Sequence, residues 1–320
     1  MSVLAVDLGG TWLRAAVVHP TGTLDWVERR RLQSVFDLRE PEAVWSDVVD
    51  GIRAAAHSAA ARGASRVALA FPGPMAAGVP ITAPTLTGSG PVPQDLIERI
   101  ERSCGLSVRV VNDVAAAAAF LGTATGDSAF FVVTVSSGIG SRVFRRNAVS
   151  SGAPYDGEIG HLVVDVGPAA PLCDCGGRGH LGAISSGRAF QRLARSEASA
   201  NPETFAASKC AARARADTLT NEEHLVPAIR SGDPWSVALL RRTVNPLARV
   251  ALAVVVASGL ERIYVIGGFA IALQDAYREA LIAELVPLLD SPAIPVRVQD
   301  LVRVVDTGPE AVLRGAALAV

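Results

Sequence analysis

The chain has 320 residues, half of them apolar, with 30 basic and 31 acidic side chains for a net charge of −1. That length suits two lobes of roughly 150 residues each better than one small core. The charge balance argues against a nucleic-acid surface, which needs a basic stripe, and the longest apolar stretch, residues 250–259, is short of the roughly 20 residues of a membrane span. The first residues read as a strand and a polar turn, without a basic n-region or cleavage site. Four cysteines suit metal and thiol roles better than disulfides, so a cytoplasmic protein is expected. Lys209 is the single lysine, and no glycine loop contains it, which excludes a P-loop NTPase.

In chain order, residues 3–6 form a short apolar run followed by Asp7, Leu8, Gly9, Gly10 and Thr11. Residues 13–18 and 23–32 read as further strands around a Pro20-Thr21-Gly22 turn, which predicts an antiparallel meander at the start of a mixed sheet. Residues 42–62 repeat Val44, Val48, Ile52, Ala55 and Ala59 at helical spacing. A buried-type strand at 67–70 runs into Phe71, Pro72, Gly73 and Pro74. A helix at 94–103, a strand at 108–111 and an alanine-rich helix at 114–121 follow. A second strand-turn-strand unit spans 130–135, the Ser136 to Gly140 turn, and 141–144. A helix at 234–259, a strand at 262–266, Gly267-Gly268 and a last helix at 309–319 complete the chain. The last helix is expected to pack on the first lobe.

Four segments carry chemistry. Asp7, Gly9, Gly10, Thr11 and Arg14 form a glycine turn whose backbone N–H groups can approach a phosphate, with a carboxylate able to hold Mg²⁺ through water; an ordinary hairpin turn is the alternative. Thr134, Ser136, Ser137 and Gly138 form a second such turn. Asn112 and Asp113 stand where a strand meets a helix, and Asp113 could simply cap that helix. Lastly, Glu158 and His161 in GEIGH precede Cys173, Cys175 and His180. The spacing H-x11-C-x-C-x4-H, with glycines between, offers two thiolates and two imidazoles to a closed tetrahedral zinc site.

GEIGH followed by C-x-C-G-x-x-G resembles the signature of the ROK family (repressors, open reading frames and kinases), as does D-x-G-G-T-x-x-R at every fixed position. The resemblance extends over nearly the whole chain. It implies a ribonuclease-H-like, actin- or hexokinase-type α/β fold, duplicated and two-lobed, with ATP in the interlobe cleft. The small lobe is expected over 1–113 and 304–320, and the large one over 114–303. The family implies Asp113 as general base toward a substrate hydroxyl, Gly73, Asn112, Glu158 and His161 as substrate ligands, and Gly267 and Gly268 as an adenosine loop. Cofactors implied are ATP, Mg²⁺ and a structural Zn²⁺, with a homodimer as the assembly and no nucleic-acid or membrane partner. Departures are Ser136, Ser141 and Arg142 for family glycines, Ser137 for threonine, and Ala115 for a second asparagine. Others are His180 for a cysteine, Gly182 for a glutamate, and Thr85 where the family often has asparagine. The leading expectation is an ATP-dependent kinase acting on the primary hydroxyl of a sugar, substituted sugar or carbocyclic cyclitol. The alternatives are a glucokinase or N-acetylhexosamine kinase, and a non-catalytic sugar sensor without a DNA-binding domain.

Overall fold

The computed structural model describes residues 1–88, 90–146, 153, 155–289, 297–308 and 310–320. They divide into two compact units, one of residues 1–128, 144–156 and 307–320, the other of 129–143 and 157–306.

The first unit is built on β1 (Ser2–Leu8), β2 (Trp12–Val18), β3 (Leu24–Arg31) and β4 (Ala64–Phe71). The small hairpin of β5 (Met75–Ala76) and β6 (Val79–Pro80) lies apart from the main sheet, and β7 (Ser107–Asn112) completes it in the order β3-β2-β1-β4-β7. The β1–β2 and β2–β3 pairs are antiparallel, as the meander predicts, while β4 and β7 run parallel to β1. Its helices are α1 (Pro41–Ala60), α2 (Pro84–Thr87), α3 (Leu96–Cys104), α4 (Asp113–Thr125) and the C-terminal Ala311–Leu318. Side chains alternate along the strands, and β1, β2 and β4 are buried along most of their length, so the centre of the sheet is covered on both faces, whereas the edge strand β3 is half-buried to exposed. Leu4, Val6, Leu8, Leu69 and Phe71 pack against Val44, Trp45, Val48 and Ile52 of α1. The opposite face is lined by smaller residues, including Ala68 and Ala70 beside Ala116 of α4 and Ala316 of the C-terminal helix, and Ala5 and Ala16 beside Leu313. The C-terminal helix thus packs on the first unit as expected; Pro309, its anticipated start, lies outside the described residues.

The second unit holds β8 (Ala129–Val135), most of β9 (Ile139–Arg145), β10 (Ile263–Ile266) and β11 (Val302–Val304), in the order β11-β10-β8-β9. Helices α5 (Leu181–Ser185), α6 (Gly187–Ala200), α7 (Pro202–Ala206), α8 (Val226–Arg230) and α9 (Pro234–Ser258) precede β10. Helices α10 (Gly268–Leu273), α11 (Asp275–Leu285) and α12 (Val298–Leu301) follow it. Phe131, Val133, Ile263 and Val265 form a core with Val244, Leu247 and Ala251 of α9 and Tyr277 and Leu281 of α11. No helix among the described residues is long and apolar enough to cross a membrane.

Candidate functional site

In the first unit, three parallel strands deliver the candidate residues to one edge of the sheet. Asp7 pairs with Ala70 near the end of β1, and Phe71 pairs with Asn112 at the ends of β4 and β7. Ligands of open α/β sheets bind outside such carboxyl ends. Across the hairpin Asp7 faces Arg14, and the Arg14 guanidinium donates to the Asp7 carboxylate at 2.9 Å. Asp7 is only 7% exposed. Its burial pushes the carboxyl above the usual range, and Arg14 partly offsets this. A buried carboxylate with one cationic neighbour is suited to a second cation, so the residue fits Mg²⁺ held through water.

The turn between β1 and β2 closes with Gly9 N–H donating to Trp12 O at 2.9 Å and leaves Thr11 exposed. A side chain at Gly10 would lie 2.8 Å from the Cβ and carbonyl oxygen of Thr85 in α2. This glycine therefore brings the turn against the segment that follows Gly73.

Asn112, not Asp113, is the N-cap of α4. Its Oδ1 accepts from the N–H groups of Val114 and Ala115 at 3.0 and 3.1 Å, and its Nδ2 donates to Gly73 O at 3.1 Å. Asp113 occupies the first helical position, where Oδ1 accepts from Val114 N–H at 2.8 Å. The capping reading of Asp113 is thereby replaced: Asn112 caps the helix and ties it to the Gly73 loop. Any contact from Asn112 to a substrate must come from its amide nitrogen, because its oxygen already accepts twice.

In the second unit, β8 and β10 run parallel with Thr134 beside Ile266, which puts the Ser136–Gly138 turn and Gly267-Gly268 at neighbouring strand ends. Ser137 and Gly138 are exposed, and Ser136 N–H donates to Gly138 O at 3.0 Å. The first residue of α6 also reaches this turn, with Gly187 N–H donating to Ser136 O at 2.8 Å. Sequence reasoning missed Gly187. The available signal was Ser186, an N-cap serine ahead of an amphipathic run, which accepts from Ala189 N–H at 3.2 Å.

His161, Cys173, Cys175 and His180 are brought together, with one potential ligand atom from each within 4.8 Å of the others. Cys175 Sγ lies 3.2 Å from His180 Nδ1, and the two imidazoles meet edge to face at 5.6 Å. Ligand atoms around a tetrahedral zinc are separated by roughly 3.3–3.8 Å, from bonds near 2.0 and 2.3 Å, so a small contraction closes the shell. The loop is preformed by backbone bonds from Cys173 N–H to Gly177 O and from Gly176 N–H to Cys173 O, at 2.8 and 2.9 Å. The His180 ring lies directly over Gly177, where any Cβ would overlap it. Burial, with the neighbouring His180, lowers the His161 pKa and favours the neutral imidazole that a metal needs. Burial also raises the Cys173 thiol. Glu158 stands beside this cluster, its Oε2 3.9 Å from His161 Nε2.

A model described as the ROK family matches residues 3–320. The chain belongs to the ROK family. It is 37% identical over 296 residues to a C(7)-cyclitol 7-kinase of Streptomyces hygroscopicus subsp. limoneus, covering 89% of this chain and 84% of that protein. It is 31% identical over 295 residues to a 2-epi-5-epi-valiolone 7-kinase of an Actinoplanes species, covering 87% and 80%. The crystal structure of a ROK family glucokinase from Streptomyces griseus, in complex with glucose and AMPPNP, superposes with a TM-score of 0.74 at 26% identity, covering 99% and 98%. The expected family and its actin- or hexokinase-type α/β fold are borne out.

Proposed function

We propose that this ROK protein is an ATP- and Mg²⁺-dependent kinase that phosphorylates the exocyclic primary hydroxyl of a carbocyclic, C7-type cyclitol. The observation that supports it most is the alignment of Asp7, Gly73, Asn112 and Asp113 at the ends of three parallel strands. Phosphoryl transfer asks a protein for in-line positioning, charge neutralisation and a base for the attacking hydroxyl. Asp113 takes the proton from that hydroxyl. Asn112 holds the loop at Gly73 against it and supplies an amide N–H. The turns at Gly9, Gly10 and Thr11, and at Thr134, Ser136, Ser137 and Gly138, orient phosphates through backbone N–H and hydroxyl donors, with Arg14 fixing Asp7. Gly267 and Gly268 leave room for the adenosine. Mg²⁺, when bound, neutralises charge on the phosphates, and Asp7 would hold it. Glu158 and His161 bind ring hydroxyls. His161, Cys173, Cys175 and His180 would hold a structural zinc that fixes this pair.

The substrate class rests on the cyclitol kinase relatives and on Gly182. This residue lies in the first turn of α5, where a Cβ would come 3.2 Å from Gly160 O. Helix α5 therefore packs closely on the GEIGH turn, and a side chain at this position would need Gly160 to give by a few tenths of an ångström. A sugar with hydroxyls at its anomeric end loses a charged acceptor, a bond typically worth ~1.5–3 kcal/mol. Glucose should accordingly be used roughly 10- to 150-fold less well than a C7 cyclitol when kcat/KM values are compared side by side. Glucose outperforming every cyclitol and substituted sugar would contradict this specificity.

A homodimer in the cytoplasm completes the reading. Leu162, Val163, Val166 and Leu172, all beside the metal cluster, are exposed apolar side chains suited to a self-interface. Sedimentation of the purified protein measures it, and a monomer at micromolar concentration would refute it.

A further inference from the structure

Strand β9 begins directly after the Ser136–Gly138 turn and lies against the segment that carries Glu158 and His161. Ser141, at its middle, is 3% exposed. Its N–H and its hydroxyl both donate to Gly157 O, at 3.1 and 2.8 Å. Gly157 has φ +90°, and a Cβ there would overlap the Ser141 carbonyl oxygen. At Gly160 a Cβ would overlap the Ile139 carbonyl oxygen. Two glycines flanking Glu158 and Ile159 thus lie backbone to backbone on two alternate residues of β9. The Ser141 hydroxyl adds the side-chain bond at the first of these contacts.

From this geometry we infer that Ser141 is a positioning residue that couples the phosphate turn to Glu158 and His161, so that nucleotide held at the turn improves the grip on the acceptor. The assignment rests on the kinase reading above. Rigid backbone contacts transmit a displacement of the turn, and the buried hydroxyl fixes the carbonyl that directly precedes Glu158. Related motifs carry glycine at this position, so the link belongs to this chain's departure from the pattern.

Ser141→Ala tests it, because the backbone N–H bond and the Cβ remain and the fold should survive. Ser141→Gly removes the Cβ as well. Both variants should raise KM for the acceptor by about three- to tenfold, the worth of one buried hydrogen bond, and leave KM for ATP and the zinc content unchanged. In calorimetry, a non-hydrolysable ATP analogue should tighten acceptor binding to the wild type, and this tightening should shrink in both variants. Unchanged acceptor KM and undiminished tightening overturn the assignment. So does a parallel loss of ATP affinity, zinc and thermal stability, which would mark a merely structural residue. A wild-type protein that transfers phosphate to no sugar or cyclitol overturns the kinase reading and this assignment together, so the wild-type control separates the two failures.

Discussion

Asp113→Asn is expected to lower turnover by at least ~10²-fold, the usual cost of a lost general base. The substitution keeps the size of the side chain and an oxygen that can accept from Val114 N–H, a bond of 2.8 Å in the native protein. It removes only the basic oxygen. Because Asn112 rather than Asp113 caps α4, the cap is kept and only a favourable first-turn charge, worth ~0.3–1 kcal/mol, is lost, so the melting temperature and ATP affinity should stay close to wild type. Asn112→Ala is the informative contrast. It deletes the cap, which costs roughly 1 kcal/mol of helix stability, and cuts the bond to Gly73 O, so it should lower stability and turnover together. Near-normal turnover in Asp113→Asn, measured at saturating ATP and acceptor, would sink the assignment of the base.

Metal removal is expected to have the second large effect. Purified protein should contain about one zinc per chain, as a four-ligand structural site implies. Cys175→Ser should lose it together with activity. Structural zinc sites in small domains supply ~10–16 kcal/mol of apparent binding energy, comparable to the whole stability of a typical domain. Beyond its backbone turns, the Cys173–His180 region is held mainly by polar contacts, an ion pair from Asp174 to Arg188 and a hydrogen bond from Arg178 to Ala170 O, while Leu172 is exposed and Cys173, Cys175 and His180 are only half-buried. Losing the metal should therefore free Glu158 and His161 from their fixed positions as well. Elemental analysis of protein purified without added metal decides the matter, and a metal-free preparation that is fully active and stable would refute the site. Retention of native zinc affinity in His180→Ala would show that the fourth ligand is another residue.

The legible parts of the sequence were those in which spacing alone dictates geometry. In D-x-G-G-T-x-x-R the seven-residue separation sets Arg14 opposite Asp7 across a hairpin. The cluster of His161, Cys173, Cys175 and His180 was also readable, because few residue types bind zinc and glycine permits the turns. Asn112 and Asp113 were harder, since both are strong cap formers at adjacent positions. The choice is made by strand register: β7 pairs through Asn112, which places the first helical residue at 113. The contacts of Ser141 with Gly157 and of Gly10 with Thr85 join segments 16 and 75 positions apart. No local pattern encodes such approaches. The helices between residues 181 and 230 were also unread, being mostly short and irregularly spaced.

The central claim is most directly tested by incubating the wild-type protein with ATP, Mg²⁺ and a C7 cyclitol, and locating the product phosphate by phosphorus–carbon coupling in nuclear magnetic resonance. The account predicts a phosphomonoester on the exocyclic carbon, formed at least ~10²-fold more slowly by Asp113→Asn. A phosphate on a ring hydroxyl, or transfer that proceeds equally well in the variant, would contradict it.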